Sequence, residues 1–107
     1  PRGDVSMRLA LDTGATTTLI NWDIAVIAGY DPALIVERTQ ITTGSGVEFC
    51  PLLQVEMLEA LGQRRKQFKV LCHTLPPSAR VDGLLGLDFL RGRDLRVNFR
   101  TGVLKLE

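Results

Sequence analysis

A chain of 107 residues with 45% hydrophobic residues can bury one core and is too short for two ordinary domains, so we expect a single domain over residues 1–107. A net charge of +1 creates no general field that would attract nucleic acid or an anionic membrane, and we expect neither as a partner. No apolar run reaches membrane-spanning length, which predicts a soluble, cytoplasmic domain without membrane contact.

The N-terminal part of the chain predicts two strands around a tight turn, followed by a short helix. Residues 5–11 are rich in Val, Leu and Met and predict a strand that leads into Asp12. Residues 16–20 are rich in β-branched side chains and predict the next strand. Asn21 stands at the N-cap position of a short helix over 22–28, which ends at the glycine that follows.

A long β-hairpin is predicted in the middle of the chain. Residues 35–43 and 47–61 are extended stretches on either side of a turn over 43–46, which holds two glycines. A hairpin that projects and bends at glycines can close as a flap over a bound peptide, and an ordinary surface hairpin is the alternative. Pro51 interrupts the second arm and predicts an edge strand or a bulge.

The remaining predicted elements are short and are separated by turns. They are a solvated basic turn over 62–66, strands over 67–72 and 81–86, a short helix over 87–91 and a terminal hairpin over 95–106. The whole chain is therefore predicted to be mainly β with two short helices.

The cysteines and the single histidine do not form a recognisable metal motif. Cys50 and Cys72 are too few for a disulfide scaffold, and we expect reduced thiols. His73 follows Cys72 directly, but zinc takes three or four protein ligands at recognisable spacing and the chain has no second histidine. We therefore expect neither a metal nor an organic cofactor.

The most informative stretch is an apolar strand that delivers one aspartate into a tight turn, Leu9-Ala10-Leu11 followed by Asp12-Thr13-Gly14-Ala15. Desolvation strongly disfavours an ionised acid after a buried strand, so this carboxylate is either satisfied by partners or functional. A small hydroxyl residue and then a glycine follow at once, and both favour a tight turn that another chain can approach closely.

This motif, joined to Leu84-Leu85-Gly86 much later in the chain, resembles the retroviral-type aspartic proteases, the retropepsin-like family. The resemblance covers nearly the whole chain, because flap-like and terminal-strand segments fall in the same order. Leu87-Asp88-Phe89-Leu90 is more similar to the cellular or bacterial members. The resemblance implies a single-lobe, closed β-barrel of the acid-protease type with one or two short helices, and the activity of an aspartic endopeptidase.

Hydrolysis of a peptide bond without a metal or a covalent nucleophile can be carried out by two carboxylates that share one proton, and this mechanism needs two aspartates in equivalent places. The chain has only one Asp-Thr-Gly, and neither Asp82 nor Asp88 is followed by a hydroxyl residue. The economical arrangement is a two-fold homodimer in which Asp12 meets its own copy at the axis. The resemblance implies the same, because dimers supply the pair in the retroviral-type enzymes.

The resemblance also implies roles for the residues around the catalytic Asp12. Thr13 would hydrogen-bond across the axis near Leu11 of the partner, and Gly14 would present its backbone to the carboxylates and the substrate. Leu85 and Gly86 would support the site, with plain core packing as an equal alternative for Leu85. The substrate-binding residues would be Thr16, Thr43, Gly44, Ser45, Gly46, Val81 and Leu84. Their Leu and Val side chains favour an extended peptide with apolar residues around the cut.

The chain departs from related enzymes at three positions near the motif. Ala15 stands where pepsin-like relatives carry a hydroxyl residue that donates to a catalytic carboxylate and favours its ionised form. Because alanine cannot donate, we expect activity at weakly rather than strongly acidic pH. Thr16 and Leu87 stand where viral enzymes often carry an acid and an arginine that brace the dimer, so other contacts must hold it.

The main alternative is non-enzymatic, a catalytically silent retropepsin-like module for dimerisation or peptide binding. The intact motif favours the protease, since a purely structural turn does not need a desolvated acid. An enzyme that phosphorylates its own aspartate is excluded, because Thr13 stands where that chemistry needs a lysine. The natural substrate stays open, as does an upstream anchor or further domain, because the chain begins at Pro1 rather than at Met.

Overall fold

The computed structural model describes residues 4–43 and 46–107. The elements in chain order are β1 (Leu9–Leu11), β2 (Leu19–Asn21), α1 (Trp22–Ile27), β3 (Arg38–Thr43), β4 (Gly46–Ala60), β5 (Gln63–His73), β6 (Gly83–Leu85), α2 (Leu87–Leu90), β7 (Leu95–Asn98) and β8 (Val103–Leu106). Short 3-10 helices lie at Pro32–Leu34 and Pro77–Ala79. The predicted mainly β fold with two short helices is confirmed. None of the described helices is long and apolar enough to cross a membrane.

Six strands form one sheet in the order β1-β6-β2-β5-β4-β3, which curls into a half-barrel. The strands β7 and β8 form a separate hairpin, as predicted for the C-terminus. Within the sheet, β6 runs parallel to β1 and antiparallel to β2. The register places Leu11 opposite Leu85, so the turn after β1 lies beside the glycine that follows β6.

The core is built where the sheet meets the two helices. Phe89 of α2 is fully buried and meets Phe68 of β5 edge-on, with the ring centroids 5.8 Å apart. Ala25 of α1 and Val70 of β5 are also fully buried in the same cluster. Because burial of apolar side chains is the main stabilising term in folding, this cluster holds α2 against the sheet next to the β6 strand.

The predicted basic turn over 62–66 is wrong, because the turn in the structure is shorter and begins earlier. The strands β4 and β5 continue until only Leu61 and Gly62 remain between them. Arg65 is not a solvated tip either, because its Nη2 donates to the carbonyl oxygens of Phe89 at 2.7 Å and Arg91 at 2.8 Å. Carbonyl groups at the end of a helix lack partners within the helix, and a cationic donor satisfies them.

The strand β4 has β3 and β5 as its neighbours in the sheet, but Pro51 itself pairs with β3 alone, so it has one open side, in line with the predicted edge position. The partner of β4 changes at this point. Residues up to Pro51 pair with β3, and residues from Leu52 onward pair with β5. Proline has no backbone N–H to donate. Because Pro51 lies where the β3–β4 hydrogen-bond ladder ends and the β4–β5 ladder begins, the missing donor does not interrupt the middle of either ladder.

Both N-terminal strands are shorter than predicted. The backbone before β2 is held by the segment that carries α2, because Asp88 N donates to the Thr16 carbonyl oxygen at 3.2 Å. Asn21 is the N-cap residue of α1, as predicted, but its side chain makes no capping hydrogen bond. Its Oδ1 is buried without a partner among the described residues.

Candidate active site

The strand β1 places Asp12 in a tight turn that is tied to β6. Asp12 N donates to the Leu85 carbonyl oxygen at 3.0 Å, and Ala15 N donates to the Asp12 carbonyl oxygen at 3.1 Å. Gly14 N donates to Oδ1 of Asp12 at 2.9 Å. These bonds fix both the backbone of the turn and the direction of the carboxylate.

The carboxylate of Asp12 stays available for chemistry. In the described part of the chain no Lys, Arg or His lies within ion-pair distance of it. A Cβ at position 14 would lie 3.2 Å from Asp12 Oδ1, a tight contact, so glycine lets the backbone N–H approach the carboxylate. A half-buried acid that receives one backbone donor and no cation retains acceptor capacity for a water or a second acid.

A buried hydroxyl and a carboxylate brace the loop that follows the turn. Thr18 Oγ1 donates to Asp88 Oδ1 at 2.6 Å, and Thr18 N donates to Asp88 Oδ1 at 2.9 Å, across 70 residues of sequence. Gly86 N in turn donates to Thr18 Oγ1 at 3.0 Å. Leu87 N donates to the Ala15 carbonyl oxygen at 2.8 Å. Asp88 is therefore a positioning residue that anchors the aspartate turn to α2.

Sequence reasoning rejected Asp88 as a second catalytic acid and assigned it no other task. A signal was present, because an acid in the first turn of a helix is stabilised by the free N–H groups there. Asp88 Oδ1 does accept from Phe89 N at 2.8 Å. What the sequence did not indicate is the partner, Thr18, whose side chain is fully buried.

Replacement of Thr18 tests this brace. Thr18→Val keeps the shape but removes both the donor to Asp88 and the acceptor for Gly86 N, so we expect the free energy of unfolding to fall by about 1–3 kcal/mol. Thr18→Ser keeps the hydroxyl and should lose about 1 kcal/mol for the missing methyl group. Urea unfolding followed by circular dichroism measures both. A valine variant no less stable than the serine variant would contradict the assignment.

The structure brings the predicted catalytic turn together with its predicted support. Leu85 is buried in the core and Leu84 is half-buried beside it. Gly86 lies so close to the turn that a Cβ there would be 2.8 Å from the Ala15 carbonyl oxygen. Plain core packing, the alternative considered for Leu85, agrees with its 3% exposure. Val81 lies in the bend that precedes β6.

The other predicted site residues lie in the turn, in the loop after it and in the β3–β4 hairpin. Thr13, predicted to support the dimer, and Thr16, predicted to bind substrate, are exposed. Thr43 and Gly46 pair with each other at the end of the β3–β4 hairpin. Gly44 and Ser45, which complete the predicted flap tip, lie outside the described residues.

A cavity of about 690 Å³ lies among apolar side chains of β1, β4 and α1. Leu9, Leu11 and Ile24 line it, but Asp12 does not. Within one chain, this cavity therefore does not enclose the Asp12 carboxylate.

The two thiols are unsuited to nucleophilic catalysis. Burial, together with the neighbouring Cys50, raises the pKa of Cys72 to about 11. Burial and the negative charge of Glu48 raise the pKa of Cys50, partly offset by the positive charge of Arg38. Both thiols are therefore protonated at neutral pH, whereas the thiolate is the reactive form. Both are free in the structure, as expected.

The comparisons with known proteins point to the same fold and family. No curated protein matches the sequence. The fold is similar to the crystal structure of a retropepsin-like aspartic protease from Rickettsia conorii, with a TM-score of 0.70 and 19% identity over 97% of this chain and 82% of that chain. Residues 3–92 match the family described as "gag-polyprotein putative aspartyl protease". This chain therefore belongs to the gag-polyprotein aspartyl protease family and has the retropepsin-like fold.

Proposed function

We propose that this protein is an aspartic endopeptidase that acts as a homodimer, with the two Asp12 carboxylates paired across the two-fold axis. The observation that carries the proposal is the state of Asp12, which one backbone N–H orients and no described cation neutralises. The brace of Thr18 and Asp88 holds this turn against α2. The match of residues 3–92 to an aspartyl protease family supports a catalytic rather than a purely structural task for this acid.

In the proposed reaction the two carboxylates share one proton, because like charges a few ångström apart cannot both ionise easily. The charged carboxylate takes a proton from a water, which attacks the peptide carbonyl carbon. The protonated carboxyl donates to the carbonyl oxygen. The tetrahedral intermediate then collapses with a proton passing to the leaving nitrogen. The reaction needs no covalent intermediate.

The surface of the terminal hairpin supports the proposed dimer. Phe99 is 93% exposed, and Val97 and Leu104, which pair with each other, are exposed on one face of the hairpin, with Val103 exposed on the other. Apolar patches of this kind are typical of protein–protein contacts. Since Thr16 and Leu87 replace the charged pair of viral enzymes, this hairpin is the contact we propose in its place.

The β3–β4 hairpin supports the proposed flap. Residues from Gly46 to Pro51 pair with β3 and not with β5, so this part of the hairpin extends beyond the main sheet. Val47 and Phe49 on it are 56% and 65% exposed. Closure of such a hairpin over an extended peptide would bury these side chains and exclude water from the proposed dyad.

Digestion of a peptide library tests the proposal. We expect cleavage of extended peptides between apolar residues, read by mass spectrometry, with the highest rate at weakly acidic pH because Ala15 provides no hydroxyl donor. A rate that peaks at strongly acidic pH would contradict the argument from Ala15. Absence of cleavage at every pH would overturn the protease and favour the catalytically silent peptide-binding or dimerisation module.

A further inference from the structure

Three potential metal ligands meet at the base of the β3–β4 hairpin, and none of them belongs to the Asp12 turn. They are Glu48, Cys50 and His73, and their ligand atoms all lie within 4.8 Å of one another. Glu48 and Cys50 are two residues apart in β4, so both side chains are on one face of the strand. The antiparallel register that pairs Leu52 with Leu71, continued by two residues, puts Cys50 opposite His73.

The separations of His73 Nδ1 from the other two ligand atoms fit a tetrahedral ion. Cys50 Sγ lies 3.6 Å from His73 Nδ1, and His73 Nδ1 lies 3.5 Å from Glu48 Oε2. In a tetrahedral zinc site the ligand atoms are about 2.0–2.3 Å from the ion, which separates them from one another by about 3.4–3.6 Å. Both of these separations therefore match that geometry before any side chain moves.

The donor types and the charges also fit. A thiolate, an imidazole and a carboxylate are the ligands of a borderline-soft divalent ion such as Zn²⁺. Arg38 lines the same cavity of about 420 Å³, and its positive charge opposes a cation. The thiolate of Cys50 and the carboxylate of Glu48 together supply two negative charges, which outweigh it. His73 and Glu48 have side-chain exposures of 29% and 47%, so an ion can enter from solvent.

We propose that Glu48, Cys50 and His73 form a three-ligand site for Zn²⁺, with a water as the fourth ligand. On binding, Cys50 loses its proton to solvent and His73 binds through its neutral Nδ1. Because Glu48 and Cys50 belong to the projecting hairpin and His73 ends β5, the ion links the hairpin to the main sheet. The site shares no residue with the Asp12 turn, so it does not depend on the proposed peptidase activity.

Titration with Co²⁺, which takes tetrahedral zinc sites and is coloured, tests the proposal on the full chain in oxygen-free buffer. We expect one equivalent to bind with a thiolate-to-cobalt charge-transfer band, and Zn²⁺ to displace it and raise the melting temperature. Cys50→Ser should abolish the band. Glu48→Gln and His73→Asn should weaken binding by at least about tenfold. Both of these side chains are partly exposed, so these variants report on binding even if Cys50→Ser does not fold.

Cys72→Ser is the matched control, since Cys72 is buried next to Cys50 but offers no ligand atom to the cluster. It should keep both the band and the affinity. Three results would overturn the proposal: no stoichiometric Co²⁺ binding by the wild type, a band that survives Cys50→Ser, or Co²⁺ affinity that is unchanged in both Glu48→Gln and His73→Asn. A disulfide between Cys50 and Cys72 as the stable state, detected by mass under non-reducing conditions, would overturn it as well.

Discussion

Replacement of Asp12 by asparagine is expected to lower kcat/KM for peptide cleavage by at least about 10²–10⁴-fold, the range that general acid–base groups contribute. In the proposed homodimer one substitution removes both carboxylates, so neither the base nor the acid remains. Asparagine has nearly the same shape and its oxygen can still accept from Gly14 N, so the fold should persist. Asp23→Asn, an exposed acid on α1, is the matched control and should keep full activity.

Mixing experiments separate a shared dyad from two independent sites. When equal amounts of wild type and Asp12→Asn exchange subunits freely, about one quarter of the dimers carry two aspartates, and the activity should fall to that fraction. Independent sites would instead lose only half of the activity. Sedimentation with and without pepstatin gives the mass of each variant. A wild type that stays monomeric even with the inhibitor bound would remove the basis for the proposed dyad.

Replacement of Gly83 by alanine adds one methyl group, and we expect it to lower the free energy of unfolding more than the same change at Gly102. A Cβ at position 83 would lie 2.2 Å from the Leu19 carbonyl oxygen and 2.8 Å from Leu9 Cδ2. The strand β6 runs between β1 and β2, so it cannot move away from one without disturbing the other. Overpacking alone costs about 1–3 kcal/mol, and ladder bonds are lost besides. We expect a total of about 3 kcal/mol or more, a large part of the stability of a small domain.

The control separates crowding from backbone conformation. Gly102 has a φ of +73° in the turn between β7 and β8, and a Cβ there would meet nothing within 4 Å. Gly102→Ala should therefore cost only the conformational term of about 1–2 kcal/mol. Urea unfolding of the two variants gives the comparison. If Gly83→Ala were as stable as Gly102→Ala, the close approach of β6 to β2 at Gly83 would be wrong.

The aspartate turn was predictable because its chemistry is local. An apolar strand, an acid, a small hydroxyl residue and a glycine occupy six consecutive positions, and the hydrogen bond from Gly14 N to Asp12 spans two residues. The terminal hairpin was predictable for the same reason, since its turn residues and strands are adjacent in sequence. The family resemblance rests on such local patterns and on their order along the chain.

Long-range partners were not predictable from these patterns. Arg65 was expected in solvent, and it binds the end of α2 because β5 passes beside that helix. Thr18 and Asp88 form a brace across 70 residues. His73 was set aside as a metal ligand because the chain has no second histidine, whereas Glu48 and Cys50 reach it across β4 and β5. Each of these contacts depends on which strand lies next to which.

Patterns among neighbouring residues were therefore sufficient to predict Asp12, its turn and the mainly β character of the chain, because those properties depend on residues that are close in sequence. The surroundings of the acid were decided only when distant segments packed together. The parallel pairing of β1 with β6 carries Leu85 to Leu11, and with it Gly86 and Asp88 to the aspartate loop. Strand pairing is specified by the burial of whole sheet faces, a property of the complete chain that no short stretch contains.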